Sequence, residues 1–286
     1  GVKPFEVGFA GMKDRNAVTT QHYTVPRGKR SAEEFAALKG EGYEVLSAAA
    51  HQRKLPRGAL EGNRFVITVR GLRCEAALLG ARLRLIASGG TPNYFGEQRF
   101  GREAGNLAQV LGAAKLLAEG RSRGGRDRRG RDDAGFMLSA ARSLIFNAML
   151  AKRVEQGSWN RLSAGDVANL DGRGSVFAVD AVNEDLESRC ATLDVHPTAP
   201  LAGAGESLAA GAVLALEDSV SARFPEALAV IHAEGMKPER RALRTRVRDL
   251  TYEYAADTLQ LRFTLSAGSF ATTVLREIIS SAATGE

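Results

Sequence analysis

The chain of 286 residues carries 39 Lys and Arg against 33 Asp and Glu, a formal charge of +6, and 44% of it is hydrophobic. That length and composition fit one or two globular domains with a buried core. They set aside a disulfide framework or zinc site, because Cys74 and Cys190 stand far apart and His22, His51, His196 and His232 are scattered, with no ligands at metal spacing.

Taken in chain order, the opening Gly1-Val2-Lys3-Pro4-Phe5 lacks the basic-then-apolar layout of a signal peptide. No run approaches the roughly 20 apolar residues of a membrane helix. The expected setting is therefore the cytoplasm, with no membrane partner. Gln21 to Val25 is rich in strand formers and stops at Pro26, and Ser31 with Glu34 forms a capping box that predicts a short helix through Lys39. From Arg64 to Arg70 strict alternation places Phe65, Ile67 and Val69 on one face of a strand, with Asn63 two residues earlier on the same face. Turn residues at Gly89-Gly90-Thr91-Pro92 suggest a boundary near 90.

Helical spacing then recurs at Leu107, Val110, Leu111, Ala114 and Leu117, at Leu144, Ala148 and Ala151, and at Phe224, Ala227, Leu228 and Ile231. The middle of the chain reads as mainly helical. Between Arg121 and Arg131 six arginines (Arg121, Arg123, Arg126, Arg128, Arg129, Arg131) alternate with glycines, a basic loop suited either to tracking phosphates or to solvation alone. Lys237, Arg240, Arg241, Arg244 and Arg248 recur at a spacing that on a helix would align five cations on one face. Leu259, Leu261, Phe263 and Leu265 form another alternating strand, and Ser269 to Ile279 reads as a strand turning into a helix. Strand-bearing ends around a helical middle suggest an insertion within an α/β domain.

The many glycines do not make a nucleotide site, since no Gly-x-Gly-x-x-Gly follows a strand and no Walker sequence is present. The run Phe9-Ala10-Gly11-Met12-Lys13-Asp14-Arg15-Asn16-Ala17-Val18-Thr19-Thr20-Gln21 closely resembles the catalytic motif of the TruD family of tRNA pseudouridine synthases, in which Gly-x-Lys-Asp leads into Ala-Val-Thr-x-Gln. Asn63-Arg64-Phe65 is similar to a second family signature, and Pro92 to Gly101 (Pro-Asn-Tyr-Phe-Gly-Glu-Gln-Arg-Phe-Gly) to a third. Ser139 to Asn147, Gly172 to Ser175 and Ala267 to Thr272 extend the likeness towards the C-terminus.

The resemblance implies an α+β pseudouridine synthase domain with a mixed sheet (residues 1–90 and 241–286) interrupted by a TruD-specific insertion (91–240). It implies isomerisation of uridine at position 13 of tRNA without metal or small-molecule cofactor. Asp14 would be the catalytic carboxylate, with Lys13 and Arg15 beside it as cations that favour its ionised form. Phe65 would stack on the extracted uracil, Asn63 would point to the same site, and Arg276 would reach the carboxylate or lie on a surface helix. Tyr94 and Phe95 suit a core, while Gln98 and Arg99 suit a structural hydrogen-bonded pair or RNA contacts. The family pattern usually continues upstream of the catalytic motif, with a Pro-Glu-Asp-Phe strand and a lysine that this sequence does not contain. The competing expectation is therefore a fragment that binds RNA without turnover.

Overall fold

The computed structural model describes residues 2–14, 16–121 and 128–279, with side chains of the last stretch from 134 onward. Packing density divides the chain into two compact units, 1–62 and 63–286. The expected insertion over 91–240 concerns a different kind of boundary, that between a fold and its insert.

In the first unit β1 (Gly8–Phe9) pairs antiparallel with β2 (Tyr23–Thr24). Glycine is required at position 8, where a Cβ would lie 2.7 Å from the Leu55 carbonyl oxygen and also collide with Thr24. The Thr24 hydroxyl accepts from the Leu55 N–H at 2.8 Å. Helix α1 (Ala32–Ala36) opens on the expected capping box, Ser31 and Glu34 bonding each other's backbone. It stops three residues short of Lys39. Gly40 and Gly42, the latter at φ 76°, let β3 (Lys39–Gly40) fold back onto β4 (Tyr43–Glu44), and that hairpin takes the residues the helix would have used. Among the described residues before Asn63, Gly8 alone is buried.

The second unit contains β5 (Gly62–Val69, starting at the boundary), α2 (Ala76–Gly89), β6 (Thr91–Pro92), α3 (Gly105–Ala118), α4 (Arg128–Glu155), β7 (Val167–Leu170) and β8 (Val176–Ala178). There follow α5 (Glu184–Ala191), β9 (Val195–Leu201), α6 (Gly211–Ser221), α7 (Pro225–Ala233), β10 (Glu239–Ala242), β11 (Arg244–Thr245), β12 (Arg248–Ala255), β13 (Thr258–Ser266) and α8 (Ala271–Arg276). One sheet has the order β12-β13-β5. As the alternation in β13 requires, Leu259, Leu261, Phe263 and Leu265 are at most 1% exposed, and they pack on Leu79, Leu83 and Ile86 of α2. Phe65, Ile67 and Val69 of β5 join the same cluster, half-buried.

Helix α4 corrects the reading that no segment is apolar enough to span a membrane, since Ala134–Glu155 has 22 residues and an 18-residue window within it reaches a mean hydropathy of 1.4. Its apolarity is spent inside the protein. Met137, Ala140, Ala141, Ile145, Phe146, Met149 and Leu150 are at most 1% exposed, and α3, α6, α7 and β9 surround the helix. A helix apolar on most sides is what the centre of a large core demands.

The helical middle also holds a four-stranded sheet, β10-β9-β7-β8, that was not expected. Its interior strand β9 contains Pro197 and Pro200, residues that ordinarily argue against a central strand. The sheet accommodates Pro197 at the end of β10, where its carbonyl still accepts from the Leu243 N–H at 2.8 Å. The Leu243 carbonyl, which an N–H at 197 would otherwise face, accepts from the Asn93 N–H at 2.8 Å instead.

The basic stripe of 237–248 is likewise corrected, because β10, β11 and β12 occupy it and no helix aligns its charges. Arg240 forms a two-pronged bond to Glu217 at 2.8 and 2.9 Å, both side chains 8% exposed. Arg244 donates to the Cys190 and Val195 carbonyls and, through Nε, to His196 Nδ1 at 3.1 Å. That nitrogen must accept, so His196 donates from Nε2 to Asp171 at 3.1 Å.

Burial pushes the Asp171 carboxyl up, but the bond from His196 and the charges of Arg246 and Arg248 outweigh it and leave it below its ordinary value. A depressed carboxyl contributes stability above its unfolded value and loses it as pH falls through the folded one. Asp171→Asn should therefore cost about 1–3 kcal/mol at pH 7. In urea unfolding at stepped pH, the gap to the native chain should close as pH falls below about 3.8.

Candidate active site

Asp14 lies on an irregular loop between β1 and β2, exposed to solvent, with Lys13 half-buried before it. Met12 and Val18 are also exposed, so the loop projects. Both of its ends are fastened. At the start, the Ala10 carbonyl accepts from the Gly58 N–H at 2.6 Å, and the Phe9 ring lies 6.2 Å from Tyr23 with the Arg57 guanidinium 5.2 Å from its centre. At the end, Gln21 Nε2 donates to the Tyr23 hydroxyl at 2.6 Å. These bonds hold the carboxylate's loop in a unit that has almost no core of its own. Arg15 lies outside the described residues.

The other expected substrate contacts belong to the second unit. Asn63 and Phe65 share the half-buried face of β5. The Phe65 ring sits 5.5 Å from Phe263 at 31°, so it is anchored on the core beneath it. Arg276 is exposed in the last turn of α8, whose Val274 is in that core. Its charge acts on Tyr94, whose hydroxyl is pushed up by burial and by Glu277 against the opposing pull of Arg276. Arg121 is exposed and pairs with Glu119 at 3.2 Å. Arg123 and Arg126 lie outside the described residues. Arg128, Arg129 and Arg131 stand on the backbone of α4 rather than in a loop, and their side chains lie outside the description.

The third signature builds a junction that the sequence reading left open. Phe95 is buried as expected, with Phe146 edge-on at 5.5 Å, and exchanges two hydrogen bonds with the side chain of Asn147, at 2.8 and 3.0 Å. Arg241 lies 4.1 Å from the Phe95 ring centre and 5.5 Å from that of Phe146. It donates to Asn93 Oδ1 at 2.6 Å and to the Gly268 carbonyl at 3.1 Å. Arg99 reaches Phe95 from 5.1 Å. Burial, and then the charge of Arg99, draw Arg241 down to about 10. The local spacing flags Arg241 only as one cation of a helical stripe and not as an internal tie, because its partners lie 148 and 27 residues away.

The family model for tRNA pseudouridine synthase D (TruD) matches residues 1–118 and 135–278. The chain belongs to the tRNA pseudouridine synthase D family. A relative so named from Xanthomonas campestris is 44% identical over 97% of this chain and 77% of its own length. One from Methylococcus capsulatus is 43% identical over 98% and 77%. The fold is shared with a crystal structure described as a tRNA pseudouridine synthase D from Methanosarcina mazei, at 23% identity and a TM-score of 0.66 over 96% of this chain and 81% of that one. The α+β pseudouridine synthase fold follows. The TruD match contains Lys13, Asp14, Asn63, Phe65 and Arg276 but breaks between 118 and 135, so all six arginines of the Arg121–Arg131 stretch fall in the gap.

Arg241 gives the junction a direct test. Lysine keeps the charge but not the fork that spans Asn93 and Gly268, so Arg241→Lys should not substitute. Losing hydrogen bonds from a charged donor predicts a fall in unfolding free energy of about 1.5–3 kcal/mol, read by denaturant titration.

Proposed function

We infer that the protein isomerises uridine to pseudouridine in tRNA, with position 13 as its target and Asp14 as the catalytic carboxylate. The observation that carries this is the match to the family through the Gly-Met-Lys-Asp run, with Asp14 exposed on a loop fastened at both ends. In the reaction the bond from ribose C1′ to uracil N1 breaks and one from C1′ to C5 forms. C5 loses a proton and N1 gains one, so composition is unchanged and no oxidant, reductant or energy source enters. What it needs is an ionised group at the ribose or the base, and a carboxylate serves as nucleophile or general base.

The uridine must first leave its stack, at a cost that an aromatic face partly offsets, by roughly 1–3 kcal/mol per base. Phe65 is the aromatic group in this reading, with Asn63, Lys13, Arg15 and Arg276 as substrate contacts. The arginines at 121, 123, 126, 128, 129 and 131 add RNA contacts outside the matched segments. The domain reading is supported by the β12-β13-β5 sheet, which joins strands from both sides of residues 91–240. Such a protein works in the cytoplasm, where its tRNA substrate is processed.

Asp14→Asn nearly preserves shape and removes the charge. Pseudouridine mapping on tRNA should show product from the native chain and none from the variant, with RNA affinity retained. Turnover at the native rate in Asp14→Asn would sink the assignment, and binding without product from the native chain would favour the binding-only reading.

Phe65→Ala should lose roughly tenfold to a hundredfold in single-turnover rate, the equivalent of one lost stacking contact. Phe65→Tyr keeps the ring face and should retain much of the rate. Because Phe65 also rests on Phe263, the alanine variant should lose stability, though less than the ~3–5 kcal/mol of a fully buried phenylalanine. A normal rate in its folded fraction would make Phe65 a core residue only.

A further inference from the structure

Beside the Phe95 junction, α4 and its neighbours enclose a cleft of about 280 Å³, whose lining includes Phe95, Arg99, Ser139, Arg142 and Glu239. Its charge is unbalanced. The Arg142 side chain is 8% exposed, and its Nη2 donates to the Leu201 and Lys237 carbonyls, each at 3.1 Å. Among the described residues the lining has one carboxylate, Glu239, which is 3.7 Å from that nitrogen on a side chain 66% exposed, so it sits at the rim. The Nε of Arg142 and the Nε of Arg99 are both buried with no hydrogen-bond partner. Arg241 brings a third guanidinium against Phe95. Buried charged donors without acceptors are costly and rarely left so. Among the described residues, the cleft's negative charge is confined to Glu239 at the rim, and neither buried Nε has an acceptor.

We propose that the cleft seats a backbone phosphate of the tRNA substrate, bound by Arg99 and Arg142 with Ser139 as a neutral donor. The proposal rests on the tRNA reading above. The volume lies just below the roughly 300–1,000 Å³ of small-molecule sites, which suits a phosphate with part of its sugar better than a whole cofactor. A phosphodiester bears a single negative charge, so it meets less repulsion from Glu239 at the rim than a dianionic free phosphate does. Burial depresses the guanidinium pKa of both Arg99 and Arg142, and an anion between them would reverse that shift.

The test uses the full chain and an unmodified tRNA transcript, with affinity measured across a salt series for the native protein, Arg99→Gln, Arg99→Lys and Ser139→Glu. Arg99 and Ser139 are partly exposed, so these changes leave the core intact, and melting curves check that they do. Arg99→Gln should lower the slope of log affinity against log salt by about 0.7–0.9, the release of one counterion, and Arg99→Lys should restore it. Ser139→Glu should weaken binding roughly threefold to tenfold. Native slope and affinity in folded Arg99→Gln and Ser139→Glu would overturn the proposal. So would unchanged tRNA slopes together with a melting shift from inorganic phosphate that Arg99→Gln abolishes, because the cleft would then take free anion rather than RNA. If the slopes change as expected but the native chain forms no pseudouridine, the isomerase reading fails while the phosphate site stands.

Discussion

The second unit depends on how one guanidinium is satisfied. Arg241 is drawn out of water against Phe95 and Phe146, and its acceptors are an amide oxygen and a main-chain carbonyl rather than a carboxylate. Desolvating a cation is costly unless its donors are met, and carbonyl acceptors at fixed positions meet them only when their segments are in register. Asn93 follows β6, Arg241 is in β10 and Gly268 follows β13. One side chain thus fixes the relative positions of three segments remote in sequence. Asn147 adds α4 to the set through its paired bonds with Phe95.

Among the described residues that unit packs in four hydrophobic clusters, two of them large. One surrounds α4 and includes Phe95, Phe146 and Ile231, and the other lies between α2 and the β12-β13-β5 sheet. Phe65 belongs to the second, so the ring assigned to the uracil is held by ordinary packing on Phe263. The same packing that makes a binding ring rigid also makes it look like a core residue, which is why rate and stability have to be read together.

The first unit works on different terms. Asp14 is not held by burial, since the loop around it is fastened by the Gly58–Ala10 bond, the Gln21–Tyr23 bond and the Arg57 contact on Phe9. Such fastenings position the ends of a loop while leaving its middle open to solvent, as is common for scaffold loops that carry binding groups. They offer little hydrophobic stabilisation, because Gly8 is the one buried residue among those described before Asn63.

The sequence by itself determined the family, through the Gly-Met-Lys-Asp run and the later signatures. It also determined the elements whose signal is local: the Ser31–Glu34 cap, the alternation of β5 and β13, and the periodicity of α3 and α7. Local signals survive because capping and side-chain period are set within a few residues. Only the tertiary structure decided what depends on distant partners. β9 is a central strand despite two prolines, because the carbonyl facing Pro197 finds its donor in Asn93. Arg240, Arg241 and Arg244, whose spacing on a helix would align them on one face, became internal ties because Glu217, Asn93 and His196 arrive from elsewhere in the chain. The charge of an arginine is written in the sequence, whereas whether it faces phosphate, carboxylate or carbonyl is set by which segments the core packs beside it.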